Sequence, residues 1–146
     1  MTSDPPIELG TELEFLSRLW TLDHALQKRS KKMLTTIGVT GPQRLALRLI
    51  GRFPGLTAGR LARLLHLHPS TVTGVMQRLA ERGLIVRRND GPDRRRLLLQ
   101  ITSKGAAVLA DKTGTIEEAV HESLRALTSV ETTAVFNTLD LLARRL

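Results

Sequence analysis

The chain has 146 residues and a formal net charge of +8, with four aromatic residues (Phe15, Trp20, Phe53 and Phe136) and no cysteine. That length suits one domain with a real core. The core must be aliphatic, and the missing thiols exclude disulfides, thiolate metal sites, cysteine nucleophiles and thiol redox sensing. The N-terminus has no basic start and no apolar h-region, unlike a signal peptide. No apolar run approaches the roughly 18 residues of a membrane span, so a soluble, cytoplasmic protein with no membrane partner is expected.

Residues 1–9 are short and Pro-containing, and are expected to order only against a partner. From residue 10 to 33 the apolar set Leu13, Leu16, Trp20 and Leu26, flanked by Leu9, Leu19 and Leu22, follows helical spacing. The polar run 27–32 is its exposed basic end, and Gly38 closes the unit. Thr40-Gly41-Pro42-Gln43 predicts a capped helix start. That helix carries Leu45, Leu49 and Ile50 inward and stops near Phe53-Pro54-Gly55. Arg44, Arg48 and Arg52 recur at i, i+4 and i+8 and form one basic stripe. It is either a solvated helix face or a contact for phosphate or an anionic ligand.

Thr57 caps the next helix, with Leu61, Leu64 and Leu65 as its apolar side. Leu67-His68-Pro69-Ser70 is a turn, because the residue before a proline avoids the helical region and proline itself starts a helix well. The following helix runs over 69–82 and ends at Gly83, a natural residue for a helix stop. On a 100° wheel Val72, Val75, Met76 and Leu79 share one arc. Ser70, Thr73, Gly74 and Gln77 lie opposite, with Thr71 and Arg78 on a flank. Residues 84–88 and 97–101 are β-rich and pair across the turn chemistry of Asn89-Asp90-Gly91-Pro92-Asp93. A long helix, eased at Gly114, is then predicted to about residue 127, with Leu109, Ile116, Val120, Leu124 and Leu127 on its stripe. Thr128-Ser129-Val130-Glu131 is a capping box. The last helix places Val135, Leu139, Leu142 and Leu146 on a short heptad-like seam.

The charge is localised. Residues 58–100 hold nine basic against three acidic side chains, whereas residues 1–33 are neutral and residues 101–146 are slightly acidic. A polyanion-binding face is therefore expected on the central segment. Serine, threonine and glutamine on the polar face of helix 69–82 offer donors and acceptors to base edges, and Arg78 can reach guanine or phosphate. Gly74 admits close backbone approach. Arg94, Arg95 and Arg96 near the hairpin tip suit the narrow minor groove, with Asp93 as an internal partner that fixes an arginine. The histidines are scattered without ligand spacing. Glu117 and Glu118 are expected to be solvated. No phosphate loop, dinucleotide fingerprint or nucleophile elbow occurs, so neither an enzyme nor a cofactor is expected.

Several stretches together resemble the MarR (multiple antibiotic resistance regulator) family of winged helix-turn-helix repressors. They are Leu56-Thr57, the run from Leu67-His68-Pro69-Ser70 to Gly83-Leu84-Ile85, Asp93-Arg94-Arg95-Arg96, and Ile101-Thr102-Ser103-Lys104-Gly105. The resemblance implies a mainly α (α+β) fold, with a winged helix-turn-helix over 40–103 and dimerisation helices over 10–36 and 106–146. It implies a homodimer on double-stranded DNA with a pseudo-palindromic operator. Ser70, Thr71, Thr73, Gly74, Gln77 and Arg78 would then lie in the major groove and Arg94, Arg95 and Arg96 in the minor groove. Release by a small aromatic or anionic ligand is also implied, with Trp20, His24, Arg44 and Arg48 as pocket candidates, and the cysteine-sensing branch is excluded. The competing readings are a non-specific architectural DNA-binding protein and a protein-interaction module. The latter needs an acidic or apolar outer face on helix 69–82, and the sequence has neither.

Overall fold

The computed structural model describes residues 7–146, apart from the side chains of residues 90 and 93–96. Most of the Pro-containing lead segment, and the side chains assigned to the wing (Asp93, Arg94, Arg95 and Arg96), thus lie outside the described residues. Helix α1 (Thr11–Thr36) is followed by α2 (Gly41–Arg52), the short strand β1 (Leu56–Thr57), α3 (Ala58–Leu65) and α4 (Pro69–Glu81). Next come β2 (Ile85–Asp90), β3 (Asp93–Ile101), α5 (Ser103–Ala110), α6 (Ile116–Arg125) and α7 (Ser129–Arg145). The architecture is mainly helical with a small antiparallel sheet, as the sequence implies. No described helix is long and apolar enough to cross a membrane.

Threonine sets most of the helix starts. The side chains of Thr40, Thr57, Thr102, Thr115 and Thr128 each accept a backbone N–H from the first turn of the helix they precede. At Thr40 and Thr128 the reciprocal Gln43 and Glu131 bonds complete the expected capping boxes. Gly38 and Gly83 take positive φ where α1 and α4 end, and Gly41 N–H donates to Ser30 Oγ at 2.8 Å, tying α2 to α1.

The core lies among α2, α3, α4 and the sheet. Leu47, Ile50, Leu61, Val72, Met76, Leu79, Leu84, Ile85 and Leu99 are buried there. All four aromatic residues stay exposed, so the core is aliphatic. The inward side of α2 is rotated from expectation: Gln43, Arg44, Ala46, Leu47 and Ile50 are buried, whereas Leu45 is exposed. The charged head of Arg44 finds partners inside, which makes a buried arginine tolerable at a position that periodicity alone would place outside.

The sheet order is β1-β3-β2, with Leu56 opposite Leu99 and Ile85 opposite Ile101. The strand β1 is not foreseen by the sequence, because two residues carry no period. The β2–β3 register is regular from Ile85↔Ile101 to Asn89↔Leu97 and then jumps to Asp90↔Asp93. Residues 94–96 are therefore the extra backbone of a bulge, and the strands reach closer to the tip than predicted.

The predicted long helix after the hairpin is two helices. Residues 111–115 separate α5 from α6, with Gly114 at φ 73° and Thr115 buried as the new cap. Glu118 Oε2 accepts Gly114 N–H at 2.6 Å while Glu118 N–H donates to Thr115 Oγ1 at 3.1 Å. A threonine with glutamate three residues on is the same start signal that marks α7. Helical periodicity across the gap masks it.

Candidate nucleic-acid interface

The turn between α3 and α4 sets the direction of α4. His66 closes α3 in the left-handed region at φ 51°, and its N–H and that of Leu67 bond back to Arg63 and Ala62 carbonyls. His68 caps α4: its Nδ1 accepts Ser70 N–H at 3.2 Å and lies 2.7 Å from Ser70 Oγ. The sequence places His68 in the turn but gives it no role, because serine, threonine and aspartate are the usual cap signals.

Val72, Met76 and Leu79 of α4 are buried and Val75 is half-buried. Ser70, Thr71, Thr73, Gln77 and Arg78 are exposed on the other side. A Cβ added at Gly74 would meet nothing within 4 Å, so this turn of the helix is open to close approach. The structure thus gathers all six recognition-helix candidates on one outward surface. None of the ion pairs formed among the described residues lies on α4, and Arg78 is exposed there. Gln77 Nε2 donates to Glu81 Oε1 at 2.8 Å, and Thr73 Oγ1 donates to Pro69 O at 2.9 Å. Beside α4 stands the β2–β3 hairpin, with Arg87 and Arg88 exposed on β2.

Thr102 joins this unit to α5. Its hydroxyl donates to Gly83 O at 2.6 Å, its N–H donates to Leu84 O at 3.1 Å, and Lys104 Nζ reaches Arg82 O at 2.9 Å. The end of α4 and the start of α5 are thereby fixed to each other.

The ligand candidates separate. Trp20 is 63% exposed and His24 is exposed, both on α1. Arg44 and Arg48 converge instead on Glu117 of α6, which accepts Arg44 Nε at 2.8 Å and Arg48 Nη1 at 3.0 Å. Arg44, only 2% exposed, also donates to Val108 O at 3.0 Å and Leu109 O at 3.3 Å. Those carbonyls belong to the last turn of α5, where a cation suits both the unpaired oxygens and the helix dipole. So Arg44 is no solvated stripe, and Glu117 and Glu118 are not simply surface acids. Burial pushes the Glu117 carboxyl up, but its own backbone N–H, Arg48 and Arg44 outweigh that and hold it below its ordinary value. A cleft of about 630 Å³ opens beside this cluster, lined by Leu45, Leu49, Arg52, Leu109 and Lys112 among others. A second cavity of about 330 Å³ lies between α1 and α2 around Leu26, Pro42 and Leu67. Trp20 and His24 line neither.

The pattern of the MarR family matches residues 37–96, the segment from the end of α1 into the hairpin. The organic hydroperoxide resistance transcriptional regulator of Bacillus subtilis (strain 168) is 32% identical over 100 residues, covering 68% of this chain and 67% of the relative. The chain belongs to the MarR family. A putative transcriptional regulatory protein for the hcr operon of Thauera aromatica is 36% identical over 66% of this chain, which spans 55% of that relative's length. Among solved structures, the PcaV transcriptional regulator from Streptomyces coelicolor, in complex with its natural ligand, is 27% identical with a TM-score of 0.77. It is covered over 98% of its chain and 97% of this one. The S. aureus MepR–DNA complex, at 22% identity and a TM-score of 0.75, covers 90% of this chain and 95% of its own and shares the fold. The chain is therefore a transcriptional regulator of MarR type and not an enzyme.

Proposed function

We propose that this MarR-family chain is a homodimeric, sequence-specific binder of double-stranded DNA that acts in the cytoplasm as a repressor. The reading is carried by one observation: α4 buries one side in the core and turns Ser70, Thr71, Thr73, Gly74, Gln77 and Arg78 outward together. These residues enter the major groove, and Arg94, Arg95 and Arg96 of the wing enter the minor groove, with Asp93 ordering them. The winged unit is residues 40–103. Residues 10–36 and 106–146 form the dimer frame, which sets two half-sites of a pseudo-palindrome about one helical turn apart.

Binding to a duplex selected from a random pool should weaken steeply as salt rises. An Arg94→Ala/Arg95→Ala variant should bind more weakly, and its salt slope should fall by about one for each phosphate left unneutralised. Unchanged affinity and slope at moderate salt would remove the wing from the interface. A non-specific architectural protein is the second reading, and it predicts equal competition by unrelated duplexes.

For release, the supported place is the cleft between α2 and the α5–α6 junction, where apolar leucines lie beside Arg48, Arg52 and Lys112. A small anion with an apolar body fits that lining, and thermal shift in a panel of aromatic carboxylates tests it. With no cysteine in the chain, release cannot depend on oxidation of a thiol of this chain.

A further inference from the structure

We propose that the outward face of α4 is a row of hydrogen-bond acceptors that tells amino-bearing from keto-bearing bases. Opposite Ser70, Thr73 and Gln77, the strand it follows would carry adenine or cytosine in place of guanine or thymine. The inference rests on the operator-binding reading above and adds the class of base that is read.

All three side chains commit a donor inside the helix. His68 Nδ1 accepts Ser70 N–H, and in the tautomer protonated at Nε2 that this bond favours, the Ser70 hydroxyl 2.7 Å away shares the same lone pair as a donor. Thr73 donates its hydroxyl proton to Pro69 O at 2.9 Å, the back-bond that threonine makes within helices. Both hydroxyl oxygens then offer only lone pairs outward. Gln77 donates one amide hydrogen to Glu81 Oε1 at 2.8 Å. This fixes which way the amide points, because a flipped amide would set its oxygen against the carboxylate. What remains is an oxygen acceptor with one N–H beside it, the complement of the amino group and ring N7 of adenine.

In the major groove the amino donors are adenine N6 and cytosine N4, and the keto acceptors are guanine O6 and thymine O4. An acceptor pressed against a keto oxygen is left unsatisfied and desolvated. Ser70, Thr73 and Gln77 stand three and four residues apart, so they share one face and span about 10 Å of helix axis. That is roughly three base steps at 3.4 Å per base pair. Because these bonds are exposed, a keto base could recruit a donor only by giving up the internal bond. Each position should therefore discriminate roughly two- to tenfold. Glu81 and His68 act as positioning residues that decide which atoms the readers present.

The test is selection of bound duplexes from a random pool, using the full chain and its Ser70→Ala, Thr73→Val and Gln77→Ala variants. The column of the operator that each variant flattens is the one its residue reads. Those three columns are expected to be adenine or cytosine on one strand, with adenine at the Gln77 column. Glu81→Ala, an exposed change whose folding is checked by thermal unfolding, should leave the other columns alone. At the Gln77 column it should bring guanine and thymine to within about twofold of adenine. Replacing that adenine by purine without the 6-amino group should weaken the wild type roughly two- to tenfold and leave Gln77→Ala unchanged. Keto bases at the three columns, or a Glu81→Ala operator identical to the wild type, would overturn the inference alone. A pool that yields no enriched sequence would overturn the operator-binding reading and this inference with it.

Discussion

Arg44 and Arg48 are the same residue one helical turn apart, and the fold makes opposite uses of them. Arg44 is buried and bonded to Glu117 and two carbonyls, whereas Arg48 is exposed and touches Glu117 from the solvent side. Removing Glu117 strands a buried guanidinium. Removing Arg48 takes away half of a solvated pair. Glu117→Ala should therefore cost about 3 kcal/mol, the lower end for a broken buried pair because Arg44 keeps its carbonyl partners. Arg48→Ala should cost less than about 1 kcal/mol. Urea unfolding of both variants decides it, and equal losses would mean that Glu117 acts through Arg48. The sign of the pH dependence is set by the same pair. Glu117 is held below its ordinary value of 4.5, so its contribution is complete above that value and fades as pH falls through the lower, folded one. The stability gap between wild type and Glu117→Gln should shrink from about pH 6 to pH 3, and a constant gap would count against the ion pair. None of this was legible in the sequence. Arg44 and Glu117 are 73 residues apart, and a periodic stripe of arginines looks the same whether or not a distant helix covers one of them.

At the scale of elements, the starts of helices were legible because a cap is a local interaction: Thr40, Thr57 and Thr128 satisfy N–H groups two or three residues away. The amphipathic split of α4 was legible for the same reason. The strand β1 was not, since Leu56 and Thr57 become a strand only by pairing with Leu99 and Leu98. The break at 111–115 was legible only as an easing at Gly114, because the apolar spacing runs on through Ile116 and Val120 and outweighs the Thr115–Glu118 cap. The Ile101-Thr102-Ser103-Lys104-Gly105 stretch shows how much one short run can fix. Thr102 ties α5 to Gly83 and Leu84, and Gly105 is buried with its α-carbon against Leu84 O and Ile101. A methyl group at Gly105 would overlap that backbone oxygen, which cannot swing away as a side chain could. Gly105→Ala should thus destabilise by about 1–3 kcal/mol, although alanine is the better helix former. Gly74→Ala, with open space around the added carbon, should raise stability by up to about 1 kcal/mol. Thermal unfolding of the two variants separates packing from propensity, and any stabilisation by Gly105→Ala would refute the close approach.

The whole molecule leaves its apolar surface in the wrong place for a solitary chain. Leu13, Trp20 and Leu22 on α1 and Val135, Phe136 and Leu139 on α7 are all exposed, and no residue of α7 is buried. A helix of 17 residues with none of them buried has little reason to persist unless a partner supplies the missing side. In the proposed homodimer that partner is a second copy, and two-fold symmetry makes each substitution count twice. Leu139 is 51% exposed in the single chain, so glutamate there should leave the core of each subunit intact. At the interface it forfeits about 1.5–3 kcal/mol per copy. That amounts to roughly two to four decades in the dimer dissociation constant. Sedimentation equilibrium should find wild type as a dimer and Leu139→Glu as a monomer that loses helicity at α7 and keeps its winged unit folded. Operator affinity should fall much further than on truncating one DNA-facing side chain, because two half-sites are then bound by separate molecules and no longer by one linked pair. A dimeric Leu139→Glu chain would move the interface off α7, and a monomeric wild type would remove the frame on which two-site reading depends.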